Sequence, residues 1–164
     1  MSKKSTFSPH QLTDNVKLLH KIAIFNQDKV LILKRSDDAF SRPGKWDLPG
    51  GNSEWPAITS QQKINLHQQD IVREIKEEIN LQLDFQHFTE KNLVYFATYF
   101  EPDRQVYSVN CGWKAEIGDN AISTVRLSDE HTDLAWIKLA QLDQYDFGGK
   151  ERDFETKIIR NVLQ

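Results

Sequence analysis

The chain has 164 residues, of which 38% are hydrophobic, and its formal net charge at pH 7 is -3. This length suits one globular domain, while the acidic balance excludes a dedicated binder of duplex nucleic acid, which needs a basic face. The longest apolar run has eight residues and cannot cross a bilayer. The single cysteine, Cys111, excludes an internal disulfide and favours a cytoplasmic setting.

Two short runs rich in Val, Ile and Leu, residues 17–25 and 29–34, predict a β-hairpin around the turn sequence "NQD". The polar stretch before them predicts a flexible N-terminal lead over residues 1–16. No repeat divides the remainder, so we expect one domain over residues 17–164.

Residues 35–56 carry three prolines and three glycines and predict a long loop that contains the sequence "WDLPGG". Loops of this length inside a compact domain are often functional.

A helical pattern follows, from about Asn65 to Ile79. Asn65 is a suitable N-cap, with Gln68 three residues later as in a capping box. Asn80 follows the last apolar position and suits the left-handed conformation that ends many helices. The apolar stripe consists of Leu66, Ile71, Val72, Ile75 and Ile79.

Three further runs, residues 92–101, 105–117 and 134–139, have the composition of β-strands, with the turn sequences "EPDRQ" and "GDN" after the first two. A second helical pattern covers residues 150–164. Its apolar face consists of Phe154, Ile158 and Val162. We therefore expect an α+β fold, in which a mixed β-sheet core is sandwiched between helices.

Within the first helix, residues 71–81 ("IVREIKEEINL") bring Glu74, Glu77 and Glu78 onto neighbouring positions of one face. Like-charged neighbours destabilise an exposed helix by roughly 0.2–0.5 kcal/mol per pair. Either adjacent basic residues neutralise a solvated face, or the carboxylates converge on a hard cation such as Mg²⁺, which prefers oxygen ligands.

The sequences "WDLPGG" and "REIKEEINL" together resemble the signature of the Nudix hydrolase family, in its MutT-like form. That signature runs Gly, five residues, Glu, seven residues, then Arg-Glu-aliphatic-any-Glu-Glu-any-Gly-aliphatic. Gly51 begins its first half here and Arg73 its second, and the similarity extends over residues 17 to about 140. The resemblance implies the Nudix fold and an enzyme that hydrolyses a nucleoside diphosphate linked to another group X, with Mg²⁺ or Mn²⁺ as cofactor.

The spacing departs from this signature. Gly51 lies 22 positions before Arg73, eight more than in the family, and neither Ala57 nor Asn65 supplies the isolated glutamate at the positions where counting places it. Glu54 is an alternative for that glutamate, which in the family supports the signature arginine.

The resemblance also implies site residues. As metal ligands it indicates the backbone carbonyl of Gly51 and the carboxylates of Glu74, Glu77, Glu78 and Glu130. Arg73 is expected to orient the acids. The catalytic base is either Glu74 or Glu130, which lies in "SDEHTD" where a loop carboxylate can reach a metal-bound water. His131 is expected to be structural or exposed.

Substrate contacts are expected around the glycine loop. Candidate phosphate ligands are Arg35, Arg42 and Lys45. Candidates to stack on a base are Phe40, Trp46, Trp55 and Trp113, with core packing as the competing role of Trp46 and Trp113. The inserted residues 52–65 either shape substrate choice through Trp55 or form an ordinary surface insertion. Asn80 replaces the signature glycine, a change that preserves the helix end.

The leading functional hypothesis is a MutT-like nucleotide pyrophosphohydrolase, with nucleotide sugars and dinucleoside polyphosphates as alternative substrates. A non-catalytic Nudix-fold nucleotide sensor is a hypothesis of another class, but such proteins typically lose signature acids. An isopentenyl-diphosphate isomerase needs a cysteine in the early loop, whereas Cys111 lies in a later strand. We expect a small nucleotide-derived ligand and no membrane partner; homodimer formation is left open.

Overall fold

A mixed β-sheet with helices on both faces forms the framework of the protein, for which a computed structural model describes residues 15–54, 67–149 and 153–164. The strands are β1 (Val16–Asn26), β2 (Lys29–Arg35), β3 (Trp46–Asp47), β4 (Leu93–Glu101), β5 (Val106–Glu116) and β6 (His131–Lys138). The helices are α1 (Gln68–Ile79), α2 (Asp119–Ile122) and α3 (Phe154–Leu163).

The sheet has the strand order β3-β2-β1-β5-β4, and β6 pairs with β2. Strands β1 and β5 run parallel, and the other pairs are antiparallel. The predicted hairpin is confirmed, but β1 and β2 pair only next to the turn, at Phe25–Val30 and Asn26–Lys29. Beyond that point the glycine loop lines β1 instead, since the amide of Ile22 donates to the carbonyl of Pro49 at 2.9 Å. The loop is thereby fixed against the centre of the sheet.

Strand alternation divides the core between two layers. Ile22 and Ile24 of β1 pack with the buried stripe of α1, which consists of Ile71, Ile75 and Ile79. The intervening Ala23 packs on the opposite face with Ile158 and Ile159 of α3. The sheet therefore lies between two helices, as predicted.

Helix α1 ends as the sequence predicts. Asn80 has φ 56° and ψ 18°, in the left-handed region, and its amide donates to the carbonyl of Lys76 at 3.0 Å. The start differs from the prediction, because Gln68 is the first helical residue and His67 the N-cap. Asn65, the predicted N-cap, lies outside the described residues. Gln68 serves in no capping box; its side chain donates to the carbonyl of Phe88.

Some predicted boundaries also change. Val16 already pairs with Tyr107 in the sheet, so the strand begins within the predicted N-terminal lead, whose residues 1–14 lie outside the described part. The sequence "GDN" opens the short helix α2 instead of forming a simple turn. None of the described helices is long and apolar enough to span a membrane.

Candidate active site

Glu78 lies where α1 meets the glycine loop. Its carboxylate is buried and accepts a hydrogen bond of 2.7 Å from the backbone N–H of Gly50. Gly50 has φ +124°, and a Cβ there would collide with the carbonyl of His20, so the position requires glycine. The first glycine of "PGG" thus binds the helix acid from a backbone conformation that requires glycine.

Burial controls the ionisation of this carboxylate. It raises the pKa of Glu78 to about 8, although the nearby Lys21 opposes the shift. The nearest imidazole nitrogen, Nε2 of His131, is 3.9 Å from Oε1 of Glu78. Burial also lowers the pKa of His131 to about 4, so this ring is neutral at pH 7. His131 is therefore a buried, uncharged neighbour of the site, in line with its predicted structural role.

Glu74 packs directly against the glycine loop. A Cβ at Gly51 would overlap the Glu74 carboxylate, so the absence of a side chain at Gly51 makes room for this acid. Burial raises the pKa of Glu74, and the adjacent Arg73 partly opposes this shift. The sequence pair Gly51 and Glu74, separated by the whole insertion, is thus brought into contact.

Arg73 organises the remaining acids. Its guanidinium lies 2.9 Å from Glu74 and 3.0 Å from Glu77, and 3.8 Å from Glu54. This geometry fits the predicted orienting role of Arg73, and Glu54 stands where the isolated signature glutamate would support it. Glu77 is exposed, pairs with Arg73 and does not line the cavity described below.

The acids on α1 are not gathered into a finished metal cluster: among the described residues, no three His, Cys, Asp or Glu side chains surround a common point. The donor chemistry nevertheless fits a hard divalent cation, because Glu74 and Glu78 present oxygens beside the glycine loop. Burial raises the pKa values of both acids. The predicted carbonyl ligand of Gly51 accepts a bond of 2.9 Å from the amide of His20.

A cavity of about 530 Å³ opens beside these acids. Its lining includes Glu74, Glu78 and the exposed Glu130, which directly precedes β6. It also includes residues of β4 and β5 and the start of α3. The described site thus combines a group of carboxylates with a pocket large enough for a small ligand.

The predicted phosphate ligands occupy different environments. Arg35 and Arg42 line the cavity, but both guanidiniums contact the buried Asp47, at 3.4 and 2.6 Å. Lys45 does not line the cavity and pairs with Asp146 at 2.6 Å. The structure therefore brings the two arginines to the site and leaves Lys45 outside it.

The two described tryptophans among the stacking candidates, Trp46 and Trp113, do not line the cavity. Trp46 packs edge-on against Tyr145, with ring centroids 5.0 Å apart, and Trp113 is buried in the core. Phe40 is exposed and does not line the cavity. Trp55 lies outside the described residues. Core packing thus accounts for both Trp46 and Trp113.

The aromatic side chains that do line the cavity are Tyr95, Tyr99 and Phe154. The signal for the two tyrosines was present in "LVYFATYF", since residues at alternate positions of a strand share one face. The sequence pattern also did not predict a role for two buried charged residues beside the glycine loop, Lys21 of β1 and Asp47 of β3. A charged residue in a strand does not reveal its partner. Lys21 contacts Asp47 at 2.9 Å.

The structure thus joins a glycine loop to an acidic helix over a mixed sheet. One family model matches the sequence that forms this arrangement. The description of that model is NUDIX domain, and it covers residues 21–158. The chain belongs to the Nudix family. The predicted family and α+β Nudix fold are thereby confirmed, as is the prediction of an enzyme, a pyrophosphohydrolase that acts on phosphoric anhydride bonds.

Individual Nudix relatives support the same assignment. Nucleoside triphosphatase NudI of Escherichia fergusonii is 28% identical over 144 residues, which are 85% of this chain and 93% of the relative. MutT protein from Methanosarcina mazei Go1 has a similar structure, with a TM-score of 0.65, 20% identity and coverage of 94% of this chain and 100% of that one.

A third relative is a bifunctional NMN adenylyltransferase/ADP ribose pyrophosphatase from Francisella tularensis, complexed with AMP and a Mn ion. Its TM-score is 0.60 and its identity 18%, and the match covers 96% of this chain and 44% of that one. At such low identities the two structural matches show the shared fold.

Proposed function

We propose that this Nudix hydrolase is a Mg²⁺-dependent nucleotide pyrophosphohydrolase that acts on nucleoside triphosphates. The observation that carries the proposal is the placement of Glu74 and Glu78 at a cavity that is also lined by Tyr95 and Tyr99. Carboxylates suit a cation that binds the phosphates, and aromatic rings suit a nucleobase. The nucleoside triphosphatase activity in the name of the relative NudI agrees with this substrate class.

The acids of α1 have the leading role in this proposal. Glu74, Glu77 and Glu78, with the Gly51 carbonyl and Glu130, would hold Mg²⁺ or Mn²⁺. Such a cation neutralises the negative charge of the anhydride and lowers the pKa of water bound to it. The complex of the Francisella protein with a Mn ion is compatible with this choice of cofactor. Arg73 keeps Glu74 and Glu77 in place through its two ion pairs.

Arg35 and Arg42 are proposed to contact the outer phosphates. Both line the cavity, and each guanidinium has N–H groups beyond those that face Asp47, because arginine carries five donors. Lys45 is a weaker candidate, since its ammonium group pairs with Asp146.

Glu130 is proposed as the catalytic base. Glu74 is paired with the Arg73 guanidinium at 2.9 Å, which occupies its carboxylate, although burial raises the pKa of this acid. Glu130 also lines the cavity and is exposed on the loop before β6. It can therefore approach a water molecule beside the acids of α1.

A substrate screen tests the proposal. Purified protein is incubated with nucleoside triphosphates, nucleotide sugars, dinucleoside polyphosphates and ADP-ribose, in Mg²⁺ and separately in Mn²⁺, and the released products are quantified. We expect the nucleoside triphosphates to give the highest kcat/KM, with metal required. Turnover confined to nucleotide sugars or dinucleotides would replace the proposed substrate class. Homodimer formation and cytoplasmic location stay predictions.

A further inference from the structure

Lys21 is a charged residue in the middle of the central strand β1, and its side chain is 6% exposed. Its ammonium group donates to Oδ2 of Asp47 at 2.9 Å, and to the carbonyl oxygens of Leu48 and Gly50 at 3.1 Å each. An ammonium group has three N–H donors, so these bonds use all of them. Lys21 is thus bonded to three sites within the sequence "DLPG".

Asp47 has two cationic neighbours besides Lys21. Its wholly buried carboxylate also faces Arg42 at 2.6 Å and Arg35 at 3.4 Å. Burial raises the pKa of Asp47, but the three cations outweigh burial and hold it below its usual value. Even without Lys21, two guanidiniums would still face the Asp47 carboxylate, so balancing this charge does not by itself explain Lys21. What Lys21 alone supplies is the pair of bonds to the carbonyls of the loop.

Those carbonyl bonds act on the residue that holds Glu78. Lys21 binds the carbonyl of Gly50, and the N–H of the same glycine donates to Glu78 at 2.7 Å. Glycine has wide conformational freedom, and φ +124° is one of many states open to it. The N–H of Gly50 belongs to the Pro49–Gly50 peptide, whose carbonyl accepts from the amide of Ile22 at 2.9 Å. Lys21 holds the carbonyls of the two flanking peptides, those of Leu48 and Gly50, and thereby restricts rotation of the peptide between them.

We propose that Lys21 is a positioning residue, which fixes the Gly50 turn so that its N–H stays directed at the Glu78 carboxylate. The significance of this contact for catalysis rests on the proposed function, in which Glu78 is a metal ligand. The contact itself does not depend on the proposed function, because it can be measured in the protein without substrate.

Lys21→Met tests the proposal through the Gly50 amide. Methionine fills similar space without donors, and loss of one hydrogen bond, worth about 1 kcal/mol, corresponds to an increase of roughly fivefold in local opening. We expect the Gly50 amide to exchange its hydrogen at least about fivefold faster, relative to the core amide of Ile32, as measured by NMR. An unchanged ratio of the two exchange rates overturns the proposal.

Binding of Mn²⁺ alone, titrated by electron paramagnetic resonance, gives a second readout. A misdirected Glu78 is a poorer ligand for the cation, and the Gly50 exchange rate distinguishes misdirection from the loss of charge alone. We therefore expect weaker binding in Lys21→Met, and equal or tighter binding contradicts the positioning role. Lys138→Met is the control, since Lys138 lies in β6, pairs with Asp28 at 2.7 Å and does not line the cavity; its Mn²⁺ affinity should match the wild type.

Lys21→Gln covers the case in which Lys21→Met does not fold. Glutamine keeps an N–H donor without the charge. The Gly50 exchange rate and the Mn²⁺ affinity of Lys21→Gln should therefore stay near the wild-type values. Loss of Mn²⁺ binding equal to that of Glu78→Gln would overturn the proposal in this variant. If the wild type binds Mn²⁺ and Lys21→Met shifts Gly50 exchange but no nucleotide is hydrolysed, the proposed function fails and the positioning role stands.

Discussion

Arg42 of the glycine-rich loop and Glu155 of α3 form a buried ion pair, with 2.8 Å between Nη1 and Oε1. The other guanidinium nitrogen of Arg42 reaches Asp47 at 2.6 Å, so one side chain joins the C-terminal helix to the loop before "LPGG". Glu155 is completely buried, and its Oε2 has no hydrogen-bond partner among the described residues. This pair is expected to make stability depend on pH.

Glu155→Gln should remove that dependence. Burial and the charge of Asp47 raise the pKa of Glu155 from 4.5 to about 7, and Arg42 only partly offsets them. The folded protein therefore holds this proton more tightly than the unfolded chain, and stability contributed below pH 4.5 is lost as pH rises to about 7. The free energy of unfolding in urea should thus fall more between pH 5 and pH 8 for the wild type than for Glu155→Gln. Parallel pH dependences would refute the assignment.

Glu78→Gln should separate metal binding from folding. The amide oxygen of glutamine can still accept the Gly50 N–H, so the urea midpoint should change little. Loss of the carboxylate should weaken Mn²⁺ binding by roughly tenfold or more, since hard cations prefer charged oxygen ligands. Electron paramagnetic resonance titration measures this change. Glu90→Gln, at an exposed acid outside the cavity lining, is the control; an equal effect in both variants would contradict a ligand role for Glu78.

The catalytic base can be identified from the pH dependence of turnover. If Glu130 accepts the proton, kcat/KM should lose its decline at acidic pH in Glu130→Gln and keep it in Glu74→Gln. The expectation follows from the ion pair of Glu74 with Arg73 and the open position of Glu130 on the cavity wall. The reverse pattern would assign the base to Glu74.

Tyr99→Ala should weaken nucleotide binding. Stacking of a base on an aromatic ring is worth about 1–3 kcal/mol, so KM should rise by roughly fivefold or more with a smaller change in kcat. Phe100→Ala is the matched control, because Phe100 is the next residue of β4, is 46% exposed and does not line the cavity. Steady-state kinetics with one nucleoside triphosphate would show the difference, and equal KM changes in both variants would rule out a stacking role for Tyr99.

Much of the framework could be predicted because local chemistry determines it. Asn80 ends α1 in the left-handed region, and the isoleucines of the stripe form the buried face. The contact of Gly51 with Glu74 was accessible through the family signature, although an insertion separates the two halves.

Other features depend on tertiary contacts that no local pattern contains. Lys21 lies in an apolar strand, and its role becomes visible only when the loop returns beside β1. The exclusion of Trp46 and Trp113 from the cavity depends on which face of the sheet each side chain joins. The exclusion of Lys45 depends on its pairing with Asp146, which lies 101 residues later in the chain.

The most direct test of the whole account is hydrolysis of a nucleoside triphosphate by the wild type and Glu78→Gln, compared at saturating Mg²⁺ and at matched folded concentrations. The account predicts rapid release of phosphate or pyrophosphate by the wild type, none in EDTA, and a loss of at least about a hundredfold in kcat for the variant. Turnover by Glu78→Gln at the wild-type rate would show that the acidic helix is not the catalytic centre.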